Sequence, residues 1–306
     1  VAFSSVLYYD SSVSPSISGS INETNLSSLI ITIIKDESAI YSTTVGINNN
    51  AWQVQLDSNM ISGFNIGETY SLQIEATDIA GNTDIDEATI ITDNTNPIVN
   101  FTEGGSDYYT QDNTPYFEGE IIESNLAGLT LNIYNSSGSL VRSLDAGLPT
   151  DGSWELAVTP GLAEGNYTRE IVATDHAGNT SSAQSDLIID DTNPTVSFDE
   201  GSSTVYTNDT TPTFRGDVSD ENLASLKIEV TNSSGSVEYH RTIQNPSNGD
   251  WSATSSNLSE GTYTRKVSAT DHAGNSSEVI SQLEIDTTGP VVIITTNNIA
   301  TPANIP

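Results

Sequence analysis

Ala173-Thr174-Asp175-His176-Ala177-Gly178-Asn179 is one of three near-identical strings in this chain; the others begin at Ala76 and Ala269. Their aspartates, Asp78, Asp175 and Asp271, stand 97 and 96 residues apart. Other marks keep the same beat. Prolines recur at Pro97, Pro194 and Pro290, tryptophans at Trp52, Trp154 and Trp251, and Asn-Leu pairs at Asn25, Asn125 and Asn222. Thr-Pro-x-Phe-x-Gly spans residues 114–119 and 211–216, with a looser echo from Pro15 to Gly19. A unit this long exceeds a solenoid repeat and suits a domain that buries its own core. The spacing predicts three tandem domains over residues 1–93, 94–190 and 191–286, with 287–306 as a linker and the first strand of a truncated fourth. Domain one lacks an incoming linker, so the chain reads as a segment of a longer array.

Within a unit the pattern is that of strands. Leu129, Leu131 and Ile133 alternate with polar neighbours, as do Leu226, Ile228 and Val230, the period of a strand with one buried face. Tyr263, Arg265, Val267 and Ala269 do the same and stop at the repeated turn. Gly, Pro and Asn-Ser-Ser-Gly clusters divide the unit into about seven short strands with no useful helix, an all-β fold of tandem immunoglobulin-like or fibronectin-like sandwiches. Leu-x-x-Gly-x-Tyr at Leu162, Gly165 and Tyr167, and at Leu258, Gly261 and Tyr263, predicts the tyrosine corner of such sandwiches. Domain one departs from it, with Phe64, Gly67 and Tyr70 after a longer loop. The tryptophans are expected to pack in cores or at edges.

Composition narrows the chemistry. The 306 residues carry 41 acidic side chains against eight Lys or Arg, a formal charge of −33, and no cysteine. Such a surface repels phosphate backbones and anionic headgroups, which argues against nucleic acid and direct membrane contact. Without cysteine there is no disulfide, thiolate site or Cys nucleophile. No apolar run approaches the roughly 18 residues of a membrane span, and no leader opens the segment, so an export signal is expected outside it.

Most of the acids and asparagines suit turns, where they bond local backbone. Topology singles out a subset. In a sandwich of this kind the incoming linker and the loops between the second and third and the last two strands return to one end. At the top of domain three that end gathers Asp190 and Asp191 from the linker, Asp220 and Glu221 from the loop closed by Asn222, and Asp271 and Asn275 from the turn. The equivalent set in domain two is Asp93, Asn94, Glu123, Asn125, Asp175 and Asn179. Domain one offers Asn22, Glu23, Asp78 and Asn82 without a linker, so its site should be weak or absent. Converging carboxylates call for a cation, and Ca²⁺ takes six to eight oxygens from carboxylates, amides and carbonyls. Transition metals favour nitrogen or sulfur ligands that this chain scarcely offers. Turn stabilisation alone is the competing explanation. His176 and His272 stand where domain one has Ile79, a position suited to packing or exposure rather than ligation.

Other matches fail on context. Asp10-Ser11-Ser12-Val13-Ser14 has the form of a metal-dependent adhesion string, which needs an α/β domain. Asn-x-Ser/Thr sequons, as at Asn100, Asn166, Asn208 and Asn257, arise by chance in a chain of this composition. No zinc, phosphate-loop or nucleophile-elbow motif is present, and no catalytic residue is assigned.

Taken in order, the Ile-Asp-x-Thr-x-Pro linkers, Thr-Pro-x-Phe-x-Gly, Gly-x-Trp or Gly-Asp-Trp, Leu-x-x-Gly-x-Tyr and Ala-Thr-Asp-x-Ala-Gly-Asn resemble the bacterial Ig-like repeats of large type I-secreted surface adhesins, of the biofilm-associated and repeats-in-toxin kinds. The resemblance covers domains two and three almost fully and domain one in part, where Asn50-Ala51-Trp52 lacks the glycine. It implies an extender that holds a ligand-binding region away from the cell and is stiffened by calcium at domain junctions. By motif position, it assigns linker aspartates Asp93, Asp190 and Asp286 and turn aspartates Asp78, Asp175 and Asp271 as calcium ligands.

The expected protein is therefore a non-enzymatic, monomeric, extracellular spacer at the bacterial surface. Its partners are neighbouring repeats of the same chain, and the host or surface ligand is bound elsewhere in the parent protein. Domains about 40 Å long would give an elongated array on the order of 120 Å. Two alternatives stand beside it. Domain one could bind a glycan or protein directly through residues 57–67, with Met60 and Phe64 expected to be exposed. Alternatively, the segment could be the spacer of a secreted polysaccharide-degrading enzyme.

Overall fold

The alternation of apolar and polar residues folds into strands throughout a computed structural model, which describes residues 6–10, 16–48, 50–56, 60 and 64–294. Pro15, the serines of the adhesion-like string, parts of the 57–67 segment and residues 295–306 of the expected fourth unit lie outside them. The described part of that fourth unit, residues 290–294, forms no strand, and Val291, Val292, Ile293 and Ile294 are exposed.

Repeat one contains β1 (Val6–Tyr9), β2 (Ser16–Ser20), β3 (Leu26–Lys35), β4 (Ser38–Thr44), β5 (Ile47–Asn48), β6 (Ala51–Gln55), β7 (Thr69–Asp78) and β8 (Thr83–Thr92). Repeat two contains β9 (Ile98–Val99), β10 (Tyr108–Thr110), β11 (Tyr116–Ile122), β12 (Leu126–Asn135), β13 (Leu140–Asp145), β14 (Ser153–Ala157), β15 (Gly165–Asp175) and β16 (Thr180–Ile189). Repeat three contains β17 (Thr195–Val196), β18 (Val205–Thr207), β19 (Thr213–Ser219), β20 (Leu223–Asn232), β21 (Val237–Gln244), β22 (Gly249–Thr254), β23 (Gly261–Asp271) and β24 (Ser276–Ile285).

Each repeat is a sandwich of a larger and a smaller sheet. In repeat one the orders are β1-β8-β7-β3-β4 and β2-β6-β5, and in repeat three β18-β24-β23-β20-β21 and β17-β19-β22. Repeat two repeats the plan with β16-β15-β12-β13 facing β14-β11-β9. The chain forms two compact units. One comprises Val1–Tyr108 and Asn113–Ile188, and the other Tyr109–Asp112 and Ile189–Pro306.

The strand count exceeds the expected seven, because the opening strand of repeats two and three is broken in two. In repeat three it first pairs antiparallel with β19, as β17, and then parallel with β24, as β18. A turn closed by the Gly201 N–H donating to the Phe198 carbonyl makes the step, with Gly201 at φ +63°. Gly104, at φ +76°, makes the same bond to Phe101 in repeat two. Glycine tolerates this left-handed backbone without strain.

The cores follow the predicted faces. Leu129, Leu131 and Ile133 are buried, as are Leu226, Ile228 and Val230. The alternation in β23 also carries Arg265 inside, where it is 1% exposed, and Arg169 on β15 is fully buried. Arg169 lies 4.1 Å from the Phe101 ring and 4.5 Å from that of Phe117, with its Nε–H donating to Ser185 Oγ at 2.9 Å. Burial lowers its guanidinium pKa, and the charge of Glu103, 3.7 Å away, opposes the shift. Aromatic faces and one hydroxyl thus replace part of the water that the cation loses.

Both predicted tyrosine corners form. Tyr167 Oη donates to the Ala163 carbonyl at 3.0 Å and Tyr263 Oη to that of Ser259 at 2.8 Å. Repeat one inverts the bond. Tyr70 Oη accepts from the Asn65 N–H at 2.7 Å and lies against Glu68, which also pairs with Lys35.

The expectation that Met60 and Phe64 are exposed is incorrect. Met60 is 8% exposed within the repeat-one core, and Phe64 packs on that core, stacked on Tyr70 at 4.1 Å and edge-on to Tyr9 at 6.0 Å. Phe64 takes the place that Leu162 and Leu258 hold before the other corners. Met60 and Phe64 thus both lie inward, where burial of their apolar side chains is favourable.

Candidate metal centre

The repeated Ala-Thr-Asp-x-Ala-Gly-Asn turn closes on itself. In repeat three the Asn275 N–H donates to Asp271 Oδ1 and its Nδ2 to Asp271 Oδ2, both at 2.8 Å. Gly274, at φ +93°, lets the chain reverse tightly enough for this. The same Nδ2 reaches the Asp190 carbonyl at 2.7 Å, tying the turn to the linker. Asn222 Nδ2 holds Asp190 Oδ2 at 2.8 Å, while the Asn222 N–H donates to Asp220 Oδ1 at 2.7 Å. Linker, second loop and turn thus converge at one end of the sandwich.

Three carboxylates meet there. Asp190, Asp220 and Asp271 each present an oxygen within 4.8 Å of the others. Asp190 and Asp271 are buried and Asp220 is half-buried. Burial pushes the Asp220 carboxyl above its usual value; the Asn222 N–H opposes this, and the charges of Asp190, Asp271 and Glu221 add to it. Glu221 and Asp191 are themselves exposed and stand outside the three-carboxylate group. Sequence reasoning passed over Asn222 as a site residue in its own right. Its recurrence in step with Asn25 and Asn125 was the available signal.

Repeat two builds the same frame. Asn179 donates through N–H and Nδ2 to the two oxygens of Asp175, at 2.8 and 2.7 Å, and through Nδ2 to the Asp93 carbonyl at 3.0 Å. Asn125 Nδ2 donates to Asp93 Oδ2 at 3.0 Å. Glu123 occupies the place of Asp220, and its Oε1 accepts from the N–H groups of Ser124 and Asn125 at 2.7 and 3.0 Å. Asn125 is buried, and its Oδ1 has no hydrogen-bond partner. A buried acceptor left in this way costs free energy unless something positive meets it. Asn94 is half-buried in the linker.

In repeat one the same turn forms, with the Ile79 N–H donating to the Asn25 carbonyl at 2.8 Å. Asn82 donates to both oxygens of Asp78, at 2.8 and 2.7 Å, and these bonds hold the Asp78 carboxyl below its usual value. Glu23 Oε1 accepts from the Asn25 N–H at 2.7 Å. Asp78 is more exposed than Asp175 or Asp271.

The ligand atoms that Asp190, Asp220 and Asp271 bring together in repeat three, and the unpartnered Asn125 Oδ1 in repeat two, are all oxygen. That chemistry fits a hard cation of the calcium class and does not favour the softer metals that prefer nitrogen or sulfur.

Residues 102–192 and 192–287 each match a family described as bacterial Ig-like domain, and residues 10–94 match a second family of that description. The chain belongs to the bacterial Ig-like domain family. Its Ig-like repeats are also similar to solved structures. A tetra-tandem repeat from the extending region of a large adhesion protein is 22% identical, with 93% of this chain and 75% of that one covered and a TM-score of 0.32. A structure concerning host cell surface retention of a 1.5-MDa bacterial ice-binding adhesin is 16% identical, covering 91% and 94%, with a TM-score of 0.31. The FN1–FN3 domains of chicken CNTN1 are 13% identical, covering 88% and 95%, with a TM-score of 0.30. A comparison with curated protein sequences finds no match.

Proposed function

We propose that these Ig-like repeats are a calcium-stiffened spacer of a bacterial surface adhesin, exported from the cell and non-enzymatic, holding a ligand-binding region of the parent protein away from the surface. The observation that carries this reading is the meeting of Asp190, Asp220 and Asp271, because Asp190 belongs to the linker and the other two belong to loops of repeat three. A cation held by all three would fasten the linker to the sandwich. Asp93, Asp175, Glu123 and the free Oδ1 of Asn125 would serve in the same way in repeat two. Extracellular calcium modules bind at about 0.1–1 mM, so such sites would fill outside the cell and stay empty in the cytosol.

The test is thermal melting and calorimetric titration of the whole chain with calcium and with a chelator. The expected result is a calcium-dependent rise in melting temperature that Asp190→Ala reduces. Identical melting in calcium and chelator, with no heat of binding, would overturn the reading.

A further inference from the structure

His176 and His272 occupy the variable position of the repeated turn, and their rings are not idle. The His176 imidazole stacks on Tyr8 with ring centroids 5.3 Å apart and planes 20° from parallel. The His272 ring faces Tyr109 at 5.0 Å and 32°. Tyr8 and Tyr109 hold the same place in successive repeats. Each precedes the residue whose carbonyl accepts from the linker aspartate's N–H: Tyr9 from Asp93, and Thr110 from Asp190, at 2.9 Å in both cases. Each histidine is in turn fixed by its backbone, with His176 N–H donating to Asn125 O and His272 N–H to Asn222 O, both at 2.9 Å. One edge strand therefore presents an aromatic face to the turn of the repeat that follows it.

We infer that Tyr8–His176 and Tyr109–His272 are a metal-independent aromatic clamp between successive repeats, in which the tyrosine and histidine act as positioning residues. A planar imidazole against a phenol ring offers dispersion and quadrupole attraction with little entropy to lose, since both side chains have only two rotatable bonds. Tyr8 also lines a cleft of about 780 Å³ with Asp93, Glu123, Asn125, Ile98 and Ile122, so the aromatic pair and the polar cluster flank one junction. Tyr206 is the equivalent residue of repeat three. Asp286 N–H donates to the Thr207 carbonyl beside it, and Tyr206 itself is 72% exposed. Its surface fits the same turn of another bacterial Ig-like repeat. Repeat one carries the exposed Ile79 at the histidine position, and offers no aromatic partner there.

The clamp is testable without calcium. The chain has no cysteine, so spin labels can be placed by Ile40→Cys and Leu140→Cys, at exposed positions of repeats one and two. Distances between them are measured by double electron–electron resonance on the full chain in chelator. Tyr8→Ala and His176→Ala should each broaden the distance distribution about twofold, and the double variant should add little, because either change removes the whole stack. Tyr8→Phe and His176→Phe should restore the narrow distribution. An unchanged width in the alanine variants, or broadening that the phenylalanine variants fail to reverse, would overturn the clamp. Working in chelator separates this outcome from the calcium reading, which stands or falls on the melting experiment.

Discussion

Asn275 bridges Asp271 and Asp190: its N–H and side-chain amide hold the two carboxylate oxygens of the turn, and the same amide nitrogen donates to the linker carbonyl. The side chain is buried, so each of these bonds forms away from water. Asn275→Ala should destabilise repeat three by about 1–3 kcal/mol, since it removes one donor group and leaves a buried carboxylate oxygen without its partner. Chemical denaturation in chelator would measure it, and a change below a few tenths would show that the bridge contributes little.

The buried arginine of repeat two has an apolar counterpart. In the antiparallel ladders Arg169 lies opposite Ile133, while Leu72 in repeat one lies opposite Ile33. The register position accepts an aliphatic side chain in repeat one, so Arg169→Met, which keeps more of the length than leucine would, should leave stability within about 1 kcal/mol of the parent, as replacing a buried charge by a well-packed apolar group often does. Arg169→Ala should cost roughly 2–5 kcal/mol through the space it opens beneath Phe101 and Phe117. Equal losses for both variants would mean that the charge itself matters more than the volume.

Asp217 and Asp250 face each other across β19 and β22. A shared hydrogen bond with Asp250 raises the Asp217 carboxyl above its usual value, with desolvation and then the charges of Asp250 and Asp199 adding to the shift. A carboxyl whose pKa is raised on folding holds its proton more tightly in the folded state. The pair therefore destabilises the fold at neutral pH, and the loss is recovered as pH falls through the folded value towards the unfolded one. Asp217→Asn should raise the melting temperature at neutral pH, with the gain fading as pH falls through the raised folded value and absent once pH lies below the ordinary aspartate value. A pH-independent gain would point to a cause other than titration.

Gly216 faces Trp251 so closely that an added Cβ would lie 2.9 Å from the indole and closer still to the Ser197 backbone carbonyl. Gly119 meets Trp154 at 2.7 Å and the Asn100 carbonyl in the same way. Gly216→Ala should destabilise repeat three by about 1–3 kcal/mol or more, because backbone cannot retreat as a flexible side chain can. Fluorescence of Trp251 during unfolding would report it.

Much of this architecture was legible in the sequence because its signals are local and periodic. Alternation placed Leu129, Leu131 and Ile133 inside, and the 97- and 96-residue beat of turn aspartates Asp78, Asp175 and Asp271, with sandwich topology, carried the convergence of linker and turn. The Leu-x-x-Gly-x-Tyr string foretold both tyrosine corners. What escaped depends on neighbours distant in sequence. Nothing near Arg265 in the chain reveals that Phe198 and Phe214 will line its pocket, and the inward packing of Met60 and Phe64 depends on the path of a loop. The Ile79 counterpart marks His176 as a packing or exposed position but does not reveal its packing partner, Tyr8, which lies in another repeat.

The parallel pairing of β1 with β8 and of β18 with β24 has a mechanical consequence. Each pair joins a strand near the start of its repeat to the strand that ends it. Tension along the chain pulls two such strands in opposite directions along their length, so the hydrogen bonds between them share the load in shear. Unzipping would break them singly, whereas sliding must break them together. In repeats one and three such a load would fall on three or four residue pairs, Val6 to Tyr9 against Thr89 to Thr92 and Val205 to Thr207 against Leu283 to Ile285.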